Sequence, residues 1–228
     1  MFEENLFLNY QVIDLPNWPR YQHFEFYRNA AQPWFNICAD VDVSELYRYC
    51  QAQQLSFFHA YLFLTQVAVN QHPAFQLRIV KRELRCYQEI AISCAVLGDD
   101  QLMRFCDLPF ADSFSDFTRL AQSKVAQAKE QPFIAKEFCG QAIKQDVVHM
   151  SVIPWLNFRS FSNARHSFIG DSIPKIVYGK LVESKDGYSM PLSVEVHHGM
   201  MDGLAVGQFF STIEELFSQP QLWLTRSS

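Results

Sequence analysis

The residue types that can do chemistry are concentrated in one short segment, His197-His198-Gly199-Met200-Met201-Asp202-Gly203. An imidazole has a reference pKa near 6.5, is largely neutral at pH 7 and can take a proton from an alcohol, so general-base catalysis is what the segment offers. A metal site would need a third ligand beside His198 and Asp202, and the neighbouring sequence supplies none. No metal is expected. The plainer alternative is a core histidine bonded to backbone, with Asp202-Gly203 starting a helix and Asp202 as its N-cap. Residue types and spacing leave the catalytic base and the buried structural histidine both open.

The elements that must position this segment read as a strand before it and a helix after it. In Leu192-Ser193-Val194-Glu195-Val196-His197-His198, alternation puts Leu192, Val194, Val196 and His198 on one face and Ser193, Glu195 and His197 on the other. His198 is then the protruding candidate, and His197, on the polar face, is expected to be structural or at the surface. The helix, residues 204–217, carries Val206, Phe209, Phe210, Ile213, Leu216 and Phe217 on one side.

Further helices are expected over 43–53, over 57–71 until His72-Pro73 stops it, and from Ser113, where Ser113 and Asp116 resemble a capping box. Strand-like runs fall at 35–41, 76–80, 89–96, 147–153, 173–182 and 189–197, the last two joined by a hairpin at Lys185-Asp186-Gly187. The expected fold class is α/β, a two-layer sandwich in which helices cover a mixed, largely antiparallel sheet, formed by a single domain over 1–228.

Composition excludes several classes of function. With 49% hydrophobic and 19% charged residues the chain is expected to fold, and a net charge of −5 without a basic stripe argues against nucleic-acid binding. The acidic start, Met1-Phe2-Glu3-Glu4, does not resemble an export signal, and no apolar run reaches the roughly 20 residues of a membrane span. A cytoplasmic setting is expected. The 6 cysteines lack zinc-ligand spacing and read as reduced thiols in the core, with Cys106 and Cys139 as candidates for a pocket. The 21 Phe against 8 Gly point to a core or binding site built from aromatic rings.

The segment also matches the H-H-x-x-x-D-G motif of coenzyme A-dependent acyltransferases, and three other blocks narrow the resemblance. Trp18–Tyr27, Phe57–Pro73 and Ser151-Val152-Ile153-Pro154-Trp155-Leu156-Asn157-Phe158 are similar, in the same order, to blocks of the chloramphenicol acetyltransferases. The motif alone would not separate that family from the acyltransferase components of 2-oxoacid dehydrogenases or from peptide-synthetase condensation domains.

The resemblance implies direct acetyl transfer from acetyl-CoA, a co-substrate, to a hydroxyl of chloramphenicol, giving antibiotic resistance. His198 would be the general base and Ser151 would donate a hydrogen bond to the oxyanion. Arg20 and Asp202 would pair and brace the histidine loop, as a buried ion pair. Phe26, Tyr27, Phe138 and Phe161 would line the acceptor site, and Lys180 would lie near the coenzyme A phosphates. The family's homotrimer places its sites between subunits, with the histidine from one subunit and most of the acceptor pocket from the next.

The chain departs from the family pattern at several positions. Val177 stands where a threonine is usual, Ser56 where a lysine is, and Asn163 where a leucine is, while Phe58 occupies the next aromatic position and Met103 and Phe105 are bulkier than expected. These changes keep open a second reading, an acetyltransferase for a different hydroxylated or amine acceptor. A third, non-catalytic binding on the same scaffold, requires His198 to be buried away from any cleft.

Overall fold

A computed structural model describes residues 9–132, 144–165 and 171–225. Its central strand is β10 (Gly187–His197), in which Leu192, Val194 and Val196 are fully buried. Strand β2 (Trp34–Asp42) flanks β10 on one side, and β8 (Lys175–Tyr178) and β9 (Val182–Ser184) flank it on the other, all antiparallel to it. Beyond β8 come β7 (Val147–Val152) and β5 (Ala91–Leu97), joined by parallel pairings, and then β6 (Met103–Leu108), antiparallel to β5. The sheet is mixed and largely antiparallel.

Four helices, α2 (Ser44–Gln53), α3 (Phe57–Gln71), α4 (Phe114–Glu130) and α5 (Gly203–Ser218), cover one sheet face and close the main core with it. Their starts follow local chemistry. The side chains of Ser56, Ser113 and Asp202 each accept the backbone N–H three residues on, so one otherwise orphaned donor of each helix is satisfied. Helix α3 ends at Gln71, before Pro73, and buries Tyr61 and Leu62 as well as Ala60, Phe63 and Leu64, because other helices enclose it.

A second, three-stranded sheet orders β1 (Tyr10–Val12), β4 (Glu83–Tyr87) and β3 (Leu77–Val80). With helix α1 (Tyr21–Tyr27) it forms a smaller core of Phe24, Leu77, Ile79, Leu84 and Met200. Through Met200, this core clamps the turn that follows β10.

The single strand expected over 173–182 is instead two strands. Between them the chain bonds first to β10 and then to the segment after β7: the Gly179 N–H bonds to the Pro191 carbonyl and the Lys180 N–H to that of Leu156, each at 2.9 Å. A Cβ at Gly179 would lie 2.4 Å from Pro191 Cγ and 2.8 Å from the Leu156 oxygen, so only glycine permits this approach. Strands β4 and β6 were not anticipated. The tight turns before them place Lys81 (φ 58°) and Gln101 (φ 62°) in the left-handed region without the usual glycine or asparagine.

The second face of the large sheet carries polar side chains. Ser151 lies opposite Val177, and Val177 opposite Ser193. One step along, Asp107, Ser93, His149, Lys175, Glu195 and Asn36 stand opposite one another across the strands.

Candidate active site

His198 stands one residue past the end of β10, where its backbone N–H bonds to the Pro33 carbonyl at 2.7 Å. Its ring is half-buried, stacked on Tyr27 at 4.3 Å with an interplanar angle of 11°, and flanked by Phe35 at 4.7 Å. Nδ1 lies 3.2 Å from the Met201 carbonyl. A carbonyl can only accept, so Nδ1 carries the proton and the lone pair is left on Nε2. A neutral imidazole held in this tautomer is set up to accept a proton.

Asp202 has two tasks. Its Oδ1 accepts the Ala205 N–H at 3.2 Å as the cap of α5, and its Oδ2 accepts from Arg20 Nη1 at 2.7 Å. These bonds, the Arg20 contact first, hold its carboxyl below the usual carboxylate range. The Arg20 and Asp202 side chains are 27% and 38% exposed, so the ion pair is not the buried one anticipated. Arg20 sits at the N-cap of α1 and Asp202 at that of α5, at helix ends where water still reaches the pair. Nε and Nη2 of Arg20 are nevertheless buried, without a hydrogen-bond partner among the described residues. Tyr27 closes the same helix, and Phe26 beside it, 76% exposed, meets the Tyr27 ring edge-on at 4.9 Å.

Ser151 belongs to a different place. Counting from Ser193, its partner row on β10, His198 lies five residues farther along, roughly 17 Å along the strand and about 10 Å across two strand spacings. The two side chains therefore cannot meet over one substrate carbonyl within a chain. Phe161, in the segment after β7, is tilted on Phe158 at 5.6 Å, and Lys180 is exposed and bonded through its N–H to the Leu156 carbonyl of the same segment. Phe138 and Cys139 lie outside the described residues.

His197 is not at the surface. It is 2% exposed, and Ser193 and Glu195 on its face are buried as well. The cover is an ionic cluster that sequence reasoning missed: Arg165 contacts Glu195 at 2.6 Å and Asp171 at 3.0 Å and stacks over Trp34 at 4.7 Å. Burial is the main reason that the His197 pKa falls to about 4, with the Arg165 charge next. Phe35 and the Met201 carbonyl were also missed. Alternation marks neither, although Phe35 is the register partner of Val196, two residues before His198.

The chloramphenicol acetyltransferase family model matches residues 8–214. The chain belongs to that family. As such it is an acyltransferase. The chloramphenicol acetyltransferase of Staphylococcus aureus is 29% identical over 219 residues, covering 95% of this chain and 100% of that protein. A solved chloramphenicol acetyltransferase superposes with a TM-score of 0.81 at 23% identity, covering 91% of this chain and 99% of that one. The cubic core of a pyruvate dehydrogenase multienzyme complex reaches a TM-score of 0.65 at 15% identity over 88% of this chain and 87% of that one. The fold is thus shared beyond the family, while the match along the whole sequence assigns the family.

Proposed function

We propose that the protein O-acetylates chloramphenicol with acetyl-CoA by direct transfer, acting as a cytoplasmic homotrimer whose sites lie between subunits. The observation that carries this reading is His198 itself: an imidazole clasped by two aromatic rings, its Nδ1 proton engaged by the Met201 carbonyl and Nε2 left to act. Nε2 takes the proton of the acceptor hydroxyl while that oxygen attacks the thioester carbonyl. The oxyanion accepts a hydrogen bond from Ser151 of a neighbouring subunit. Collapse expels the coenzyme A thiolate, which recovers the proton from His198, so no acetyl-enzyme forms.

The wide separation of His198 and Ser151 within one chain supports assembly of each site from two copies. On this reading Arg20 and Asp202 brace the histidine turn, Phe26, Tyr27, Phe138 and Phe161 contact the acceptor, and Lys180 meets the phosphates of coenzyme A. A purely non-catalytic role is disfavoured, because the His198 ring is half-buried and not sealed in the core.

The test is release of free thiol from acetyl-CoA with and without chloramphenicol, by wild type and His198→Ala. Chloramphenicol-dependent release that falls about 10²- to 10⁴-fold in the variant is expected. Absence of such release from folded wild type would exclude chloramphenicol as the acceptor, and unchanged release by the variant would remove His198 from the reaction.

A further inference from the structure

We infer that Trp34 is a positioning residue for the reaction: by bracing His197 it holds the turn that keeps the proton of His198 on Nδ1. This rests on His198 being the general base.

The turn after β10 hangs on His197. Its ring Nδ1 accepts the Gly199 N–H at 3.1 Å, and its carbonyl accepts the N–H groups of Met200 and Met201 at 3.0 and 3.1 Å. Met201, tied down in this way, presents the carbonyl that takes the Nδ1 proton of His198. The fit is close: a Cβ at Gly199 would lie 3.1 Å from Cε1 and 3.2 Å from Nδ1 of the His197 ring. Rotation of that ring therefore displaces the turn, and with it the Met201 carbonyl. A His198 ring released from that carbonyl is free to carry its proton on Nε2, and in that form it cannot take the proton of the acceptor hydroxyl.

Trp34 fixes the His197 ring from across the strand pair. It is the register partner of His197 at the end of the β2–β10 ladder, and the two rings meet at 6.4 Å with an interplanar angle of 88°, the edge-to-face arrangement that aromatic pairs favour. The indole is itself held from two other directions. Its Nε1–H donates to the Asp171 carbonyl at 2.7 Å, and the Arg165 guanidinium lies 4.7 Å from its ring centroid. Arg165 is in turn anchored by Glu195 and Asp171 and nearly buried, where a cation over an aromatic face binds more strongly than at an exposed site. The residues on either side of Trp34 touch the other histidine: the Pro33 carbonyl accepts the His198 N–H at 2.7 Å, and the Phe35 ring flanks the His198 ring at 4.7 Å. One tripeptide thus grips both histidines, and Trp34 ties it to the ionic cluster.

Wild type, Trp34→Leu and Trp34→Phe, with the folded fraction of each measured by circular dichroism, would be compared in two ways. Thiol release from acetyl-CoA with chloramphenicol gives kcat and KM per folded chain. Nitrogen NMR of protein carrying isotopically labelled histidine gives the tautomer of His198, its signals being assigned by their loss in His198→Ala. In Trp34→Leu, kcat is expected to fall about 10- to 100-fold while both KM values stay within about twofold, as when a catalytic group is displaced but the substrates still bind. Its His198 signals should move from the Nδ1-protonated form toward the Nε2-protonated one. Trp34→Phe keeps a ring against His197 but loses the bond to Asp171, so it should lie between the two, with kcat about three- to tenfold down. If Trp34→Leu does not fold, Trp34→Phe decides the question. A wild-type kcat, an unchanged tautomer, or a rise in KM alone in the folded variants overturns the inference. If wild type itself releases no thiol with chloramphenicol, the proposed reaction fails, and the tautomer of His198 alone then decides the role of Trp34.

Discussion

His197 and His198 are neighbours in sequence yet hold opposite tautomers. His197 Nδ1 accepts the Gly199 N–H at 3.1 Å, whereas His198 Nδ1 donates to the Met201 carbonyl at 3.2 Å. One turn therefore engages the δ nitrogen of both rings, from opposite sides of the proton. For His197 the consequence is structural: its neutral form is required, since a proton on Nδ1 would face the Gly199 N–H.

This predicts a loss of stability on mild acidification. The folded-state pKa of His197, about 4, lies below its unfolded value near 6.5, so below pH 6.5 the unfolded chain takes up a proton that the folded one refuses. The contribution of His197 is complete above pH 6.5 and declines as pH falls toward 4, by about 3 kcal/mol at the limit. His149, also depressed to about 4, adds a loss of the same sign. Denaturant titrations at several pH values should show the decline, and His197→Asn, which keeps an acceptor for Gly199 but cannot titrate, should flatten it. An identical slope in the variant would rule His197 out as a source.

The Arg165 cluster and the Arg20–Asp202 pair should differ in what their loss costs. Arg165, Glu195 and Asp171 have side chains only 8%, 9% and 11% exposed. Arg165→Met would strand two buried carboxylates and should cost about 3 to 5 kcal/mol. Asp202→Ala loses a half-exposed pair and a helix cap, together about 1 to 2 kcal/mol. Equilibrium unfolding of both variants gives the order, and a larger loss from Asp202→Ala would contradict it.

That contrast also marks what the sequence could and could not reveal. Strand alternation separates His198 from His197 and assigns His197 to the face of β10 that carries Ser193 and Glu195. It does not say whether a polar face is wet, and here Arg165, thirty residues earlier in the chain than Glu195, seals that face. The strand pairs at Lys81 and Gln101 were hidden for a local reason: residues without a turn signature adopt positive φ there. Helix starts at Ser113 and Asp202 were marked by side chains whose capping bonds are local, and local chemistry is what a single sequence displays best.

Ser151→Ala tests the oxyanion role. Loss of one such donor costs roughly 3 to 4 kcal/mol of transition-state stabilisation, or about 10²- to 10³-fold in kcat. The KM for acetyl-CoA should change little, since the bond strengthens only as charge develops on the carbonyl oxygen. A rise in KM with kcat preserved would instead make Ser151 a ground-state binding residue.

Mixing variants tests the shared site most directly. His198→Ala and Ser151→Ala chains should each be nearly inactive alone, because every site then lacks one of its two groups. If each site takes His198 from one copy and Ser151 from the next, chains unfolded and reassembled in equal proportion restore intact pairs. A chain with intact His198 must then meet a neighbour with intact Ser151, which chance association gives at about one quarter of sites. Activity should recover to about a quarter of the wild-type value, measured as thiol release after removal of denaturant. Were both groups to act within one chain, every site would remain defective and reassembly would restore nothing. The register between β7, β8 and β10 favours recovery, since it sets the two side chains far apart along the same sheet.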